Sequence, residues 1–248
     1  MPVSIFASST AAALRIASLD LCADEFALSF AAPGRVVSVS HLGADPAEFA
    51  LARRARGLHR NDGTIADIAR LKPDVILTSR ALPTGGARLA RRLGIRIETL
   101  RPTTHPREVR AEVRRLAPLL GNRRAAAQWI ARFDRMAADP PPPRRALFLG
   151  AGGSEVGSLS SAWLAMAGIA PIAIAPGRSR IEQIVRTRPR LILESRYRSG
   201  DWHRGGDWRS HPLVANLDAP RYVIDGRAMN CGQVAMLGAI EELKEQRR

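Results

Sequence analysis

The chain has 248 residues, with 38 Lys+Arg against 23 Asp+Glu for a formal net charge of +15, and 46% of it is hydrophobic. That hydrophobic share supports a packed core and excludes an intrinsically disordered chain. The positive charge is scattered as single residues and pairs, and two Tyr, six Phe and four Trp are too few for base-stacking platforms, so a solvated arginine-rich surface is the expectation and nucleic acid is not an expected partner.

Residues 1–13, "MPVSIFASSTAAA", are apolar and small, and end like the last part of a secretory leader. They lack a charged start and a full apolar centre, so they read as a leader remnant or as a flexible arm. From Leu14 the pattern is regular. "LRIASLD" (14–20) predicts a strand and "LCADEFALSFAA" a helix after it; "GRVVSVSH" (34–41) predicts a second strand. A helix over 64–71, a strand over 74–79, a helix over 86–93 stopped at Gly94 and a strand over 95–100 follow. Strands alternating with helices imply an α/β fold with mainly parallel sheets, in which ligands sit beyond the carboxyl ends of the strands.

The unit "IADIARLKPDVILTSR" at 65–80 returns at 181–196 as "IEQIVRTRPRLILESR", with half of the sixteen positions identical. Each copy is a helical apolar pattern, a Pro that stops it, and a buried strand. A unit of this size occurring twice points to two similar lobes rather than a solenoid. Between the copies, Pro106 to Asp139 is rich in Ala, Leu, Arg and Glu with few β-branched residues, which predicts helix, interrupted near Pro118 and Gly121 with Asn122 as a cap for the second part. "PPPPRR" (140–145) ends it. The α/β pattern restarts with a strand at 146–150, a Gly-rich turn, a helix at 160–167, the second copy, a polar stretch, a strand at 221–225 and a last helix from about Gln233. The expected organisation is a lobe over 14–105, an inter-lobe helix and Pro-rich linker over 106–145, and a lobe over 146–248, with one long rigid helix joining the two lobes and a ligand cleft between them.

No G-x-S-x-G, H-E-x-x-H or P-loop Lys is present, and "GAGGSEVG" carries Glu155 where a dinucleotide loop needs its third Gly, putting a negative charge against a pyrophosphate. Cys22 and Cys231 leave three readings open: buried free thiols, an inter-lobe disulfide, or soft ligands to a metal. His41, His59, His105, His203 and His211 form no pair at helical ligand spacing, so surface or capping roles are expected, although His41 and His105 fall at strand ends.

The motifs taken together resemble, in order, the substrate-binding proteins of ABC importers for cobalamin, iron–siderophore complexes and haem. The matching stretches are "RIASLDLCADEFAL", "VVSVSHLGADP", "TIADIARLKPDVILTSR", "LARRLGIRIETLRPTT", the central helix, "ALFLGAGGSEVGSLSSAWLAMAGI", "IEQIVRTRPRLILES" and "WRSHPLVANLDAPRYVIDG", covering about 14 to 240. The resemblance implies a periplasmic monomer that does no chemistry, carries no cofactor of its own, captures a metal chelate between two lobes and delivers it to a membrane permease. It also implies docking on that permease through one carboxylate at the tip of each lobe. Glu182 holds that position in the second copy of the repeat; in the first the match is Ala66, with Asp67 beside it, so the contact is lost or shifted by one residue.

Strand ends place the expected ligand contacts at Asp20, Cys22, His41 and Arg80 in the first lobe and at Gly157, Arg196, Tyr197, Trp202 and Cys231 in the second. Arg80 and Arg196 follow matching strands, so internal symmetry predicts that they face one another and suit an anionic chelate. Two alternatives stand beside this reading: an α/β enzyme with Cys22 as nucleophile near a helix start, and a protein binding Zn or Mn directly through its histidines.

Overall fold

The structure, a computed structural model, describes residues 14–150, 156–174, 180–196 and 211–246. Ile16 and Ala17 are fully buried, so the first apolar stretch is covered on both faces and forms a central strand, β1 (Ile16–Ser18). Helix α1 (Leu21–Phe30) follows, then β2 (Val36–Ser40), β3 (His59–Asn61), α2 (Ile65–Ile68), β4 (Val75–Thr78), α3 (Thr84–Arg92) and β5 (Arg96–Thr99). These five strands make one sheet in the order β3-β2-β1-β4-β5, parallel throughout.

The expected strands and helices of this half are present with shifted ends, and one element was illegible. Strand β3 reads His-Arg-Asn and carries no apolar signal. Its place is fixed by Asn61, whose buried side-chain amide donates to Ser18 O at 2.7 Å, to Ser38 Oγ at 2.8 Å and to Val39 O at 2.8 Å.

Two helices follow, α4 (Pro106–Leu120) and α5 (Arg123–Ala138), divided where the sequence places the interruption. The break is at Gly121, which takes the left-handed conformation (φ 92°) that a side chain disfavours, while Asn122 accepts from Ala125 N at 3.1 Å and starts the next helix. Pro118 lies inside the last turn of α4 and does not end it. The corner is tied to the end of α1 by Asn122 N donating to Phe30 O at 3.0 Å and Ala32 N donating to Leu120 O at 2.9 Å.

The second half comprises β6 (Arg144–Leu149), α6 (Ser158–Met166), β7 (Ile169–Pro171), α7 (Arg180–Thr187), β8 (Ile192–Arg196), α8 (Pro212–Ala215), β9 (Arg221–Asp225), α9 (Gly226–Met229) and α10 (Met236–Gln246). Its strands form a second parallel sheet, β7-β6-β8-β9. Strand β7 ends in a Pro at the sheet edge, where the missing amide donor costs nothing, and its three residues fall below any period-based expectation.

The sequence repeat is a structural repeat. In each half it supplies the helix before the strand that pairs with the sheet's first strand, β4 on β1 and β8 on β6. Lys72 (φ 45°) and Arg188 (φ 41°) are the two non-Gly residues with positive φ among the described residues. Each immediately precedes the shared Pro, at the same position of the two copies.

One apolar cluster runs through both halves. At its centre Trp129 of α5 stacks on Phe133 (5.6 Å between ring centroids) and meets Phe30 of α1 and Trp163 of α6 edge-on, each at 6.4 Å. Its indole N–H donates to Val234 O at 3.1 Å, and that of Trp163 to Gly232 O at 2.7 Å. No helix among the described residues is long and apolar enough to cross a membrane. Trp129→Ala removes its ring contacts and leaves the Val234 carbonyl without the indole donor, so we expect a loss of about 3–5 kcal/mol, read as a lower denaturant midpoint with an unchanged slope.

Candidate functional site

The carboxyl ends of β1, β2, β3 and β4 converge because acidic and amide side chains pull their loops together. Asp20 caps α1, accepting from Ala23 N at 3.0 Å, and its second oxygen takes Ser79 N at 2.7 Å and Thr78 Oγ1 at 3.0 Å. This ties the end of β4 to the start of α1. One helical turn on, buried Asp24 accepts from Ser40 N at 3.1 Å and Ser40 Oγ at 2.5 Å, tying β2 to the same helix. Gly43 passes so close that a Cβ there would lie 2.0 Å from Asp24 Oδ2. The backbone carbonyl of Asn61 accepts from His41 N at 3.0 Å, and its side-chain oxygen accepts from Gly63 N at 3.0 Å.

These loops enclose a pocket of about 220 Å³, walled by Leu21, Cys22, His41, Leu42, Asp62 and Arg80 among others. Four of the expected contact residues, Asp20, Cys22, His41 and Arg80, thus come together. Asp20 lies in the wall with both carboxylate oxygens already engaged. Arg80 and His41 are exposed, and no carboxylate among the described residues pairs with Arg80. Asp62, not foreseen from the sequence, is held below the usual carboxylate range by hydrogen bonds from the hydroxyl and amide of Thr64.

The opposite half meets these loops through its own strand ends. Cys22 and Cys231 form a disulfide, with their Cα atoms 5.3 Å apart. Of the three readings for the cysteines the disulfide holds, and the free-thiol and metal-ligand readings fail with the Cys22 nucleophile, since neither sulfur is a thiolate. Arg227 Nη1 donates to Pro46 O at 2.8 Å and Asn230 Nδ2 to Glu48 O at 3.1 Å. Gly157 sits at the N-terminus of α6. Arg196, the last residue of β8, is held by Glu194 at 3.0 Å, while Glu194 also binds Arg221. Tyr197 and Trp202 lie outside the described residues.

The histidines divide by role. His105 caps α4 through Arg107 N at 3.2 Å, His211 caps α8 through Leu213 N at 3.2 Å, and His59 lies beside Ser38 and Arg70. His105 lines a different pocket from His41, and no three His, Cys, Asp or Glu among the described residues are grouped to hold a metal ion. In the repeat, Glu182 is exposed in the first turn of α7. Asp67 instead turns inward, accepting from Asp62 N at 3.2 Å with His59 Nε2 at 3.6 Å.

The feature that sequence reasoning missed is Glu25. It is buried at the junction of the two halves, where its Oε2 accepts from Ala235 N at 3.1 Å. Burial pushes its carboxyl up to about 8, against the lowering effect of the Ala235 and Val234 amides; burial likewise lifts Asp24 to about 6 despite its bonds to Ser40 and Ser18. Glu25 Oε1 and Gln233 Oε1 are both buried without a hydrogen-bond partner among the described residues. A proton on Glu25 turns one of these acceptors into a donor. The available signal was two adjacent acids inside "LCADEFALSF", a helix otherwise apolar on every side.

No protein-family model matches the sequence, and no curated protein matches it. Solved structures do. The periplasmic vitamin B12 binding protein BtuF of Vibrio cholerae matches with a TM-score of 0.60 at 22% identity, over 93% of this chain and 95% of that one. The periplasmic heme binding protein HutB of Vibrio cholerae matches with a TM-score of 0.71 at 15% identity, over 94% and 98%. A periplasmic heme binding protein from Pseudomonas aeruginosa matches with a TM-score of 0.63 at 18% identity, over 94% and 91%. The chain therefore has the α/β fold of these two-lobed binding proteins along nearly its full length.

Two predictions follow from the junction. Thiol titration finds no free thiol in native or denatured protein until reductant is added, and reduction lowers stability by roughly 2–4 kcal/mol. For Glu25, the unfolded carboxyl ionises near 4.5 and the folded one near 8, so between those values the folded state binds the extra proton. Its contribution is complete below the lower value and is lost as pH rises through the upper one, at up to about 1.4 kcal/mol per pH unit. Denaturant midpoints measured from about pH 5 to 8 decline, and Glu25→Gln flattens that decline above the range where Asp24 titrates; an unchanged slope rejects the assignment.

Proposed function

We propose that the protein is the solute-binding component of an ABC importer, capturing a metal chelate of the cobalamin or iron–siderophore type and delivering it to a membrane permease. The observation that carries the reading is the pocket at the carboxyl ends of the first sheet, which opens where the loops of the second half are tied across by Cys22–Cys231 and by Arg227 and Asn230. Ligands of parallel α/β sheets bind at such strand ends. The matched structures named for vitamin B12 and heme are consistent with a cargo of this class. Arg80, without a carboxylate partner among the described residues, supplies a bidentate donor for an anionic group, and His41 and Leu42 supply a polar edge and an apolar contact.

The disulfide suits an oxidising compartment, in keeping with a periplasmic site of action and a monomer that meets a permease. Docking rests on the exposed Glu182 more than on Asp67, whose carboxylate is already engaged within its own lobe. Nucleic acid is not a partner in this reading, and no catalytic step is assigned.

The test is a thermal-shift and calorimetric screen over cobalamin, haem and ferric siderophores. A true cargo at a hundred times its dissociation constant adds roughly 2.7 kcal/mol to stability. Arg80→Ala then weakens an anionic cargo by roughly tenfold or more while leaving the unliganded melting temperature in place. If no chelate binds and a free divalent ion does, the proposal fails in favour of direct metal binding.

A further inference from the structure

The largest cavity described lies far from the cargo pocket, at the amino ends of β6, β8 and β9. It measures about 610 Å³ and is lined by Arg144, Arg145, Thr187, Arg188, Arg190 and Tyr222 among others, with no acidic side chain in its wall among the described residues. None of these four arginines makes an ion pair with a carboxylate among the described residues. A volume of this order suits a small molecule or headgroup. Uncompensated guanidinium groups around a concave wall suit a multivalent oxyanion, and above all phosphate, through bidentate bonds.

The internal repeat supplies the control. Arg188-Pro189-Arg190 corresponds to Lys72-Pro73-Asp74 in the first copy, both built on a left-handed residue before the Pro. In the first copy the formal charges of Lys72 and Asp74 cancel. Asp74 Oδ2 accepts from Arg15 N at 2.7 Å, and the Arg15 guanidinium closes on Leu71 O at 2.9 and 3.1 Å. In the second copy the carboxylate is replaced by Arg190, so the same turn carries two more positive charges and borders an open cavity.

We propose that this cavity is an anion-binding site of the second half for a phosphate-bearing ligand, independent of the cargo pocket and of the importer reading. The ligand is either a soluble phosphorylated molecule or the headgroup of an anionic phospholipid, and its phosphate is the group recognised. Tyr222 and the prolines of the wall give the remainder of such a ligand an apolar surface to lie on.

The experiment uses the full chain, titrated in a calorimeter with inorganic pyrophosphate, and in parallel with phosphatidylglycerol against phosphatidylcholine vesicles in a flotation assay. Saturable one-to-one binding of pyrophosphate, or binding of the phosphatidylglycerol vesicles alone, supports the site and tells the soluble source from the lipid one. Arg190→Asp, which copies the first half's turn, is expected to lower that binding at least tenfold, and Arg188→Gln to lower it without reversing a charge. Arg124→Asp makes the same charge change at an exposed position of α5 and is expected to leave it intact, which separates a site from the general attraction of a +15 chain. Affinity equal in wild type and Arg190→Asp, an equal loss in Arg124→Asp, or no binding in either arm overturns the proposal. Unchanged chelate binding in a folded Arg190→Asp keeps this result separate from the cargo pocket.

Discussion

The structure depends on how segment 230–235 is held. Cys231 is bonded to α1, Gly232 and Val234 give their carbonyls to two buried indoles, and Ala235 gives its amide to Glu25. One short loop of the second half is thus fastened to α1, α5 and α6 by a covalent bond, three hydrogen bonds and the aromatic cluster around Trp129. The indoles matter beyond their area, because each has a single donor and a buried donor left unpaired costs a kilocalorie or more. The loop supplies backbone carbonyls at the two points where the tryptophans need them.

This clamp bears on how the protein can work. A hinge that swings lobes widely needs a few backbone positions free to absorb the rotation. Here the strand ends of both halves are crosslinked by the disulfide and by Arg227 and Asn230 reaching Pro46 and Glu48. For the proposed binding role, the arrangement favours a preorganised pocket whose side chains are already in place over one that depends on closure. Preorganisation lowers the ordering cost on binding, at the expense of how completely a ligand is enclosed. Asp20 and Asp24 serve the same end one layer down, since their carboxylates position the pocket's loops.

Much of the fold was legible because buried parallel strands and amphipathic helices write themselves as apolar runs and helical periods. Val75–Thr78, Ile192–Arg196 and Arg221–Asp225 emerge as strands, and the Gly121–Asn122 break is written in a left-handed residue and a cap. Strand β3 was not legible, because His-Arg-Asn owes its place to amide hydrogen bonds that only the folded chain brings together. What the pattern of Gly and Asn did not convey is that this interruption is a corner pinned to the end of α1 by backbone hydrogen bonds. At the site, Arg80 and His41, placed at strand ends by the sequence, lie in the wall of the pocket. Composition alone left Cys22 and Cys231 undecided, since two thiols 209 positions apart meet only through the packing of both halves. Glu25 was hidden by the same logic: a carboxylate on a helix is ordinarily solvated, and only the neighbouring half buries it.

The repeated unit shows how one scaffold element acquires two chemistries. Its invariant part is mechanical: a helix, a left-handed residue, a Pro and a strand that docks on the first strand of its sheet. Both copies place a basic residue in the left-handed conformation directly before the Pro, and the Pro stops the helix ahead of a buried strand. The variable part is charge on the surface the unit leaves exposed. At the helix start, one copy presents Glu182 outward and the other draws Asp67 inward toward His59. At the turn, one copy sets Asp74 against Lys72 and the other gathers arginines. These positions lie outside the apolar core, so the charge on this surface differs between the two halves while the helix, Pro and buried strand stay the same.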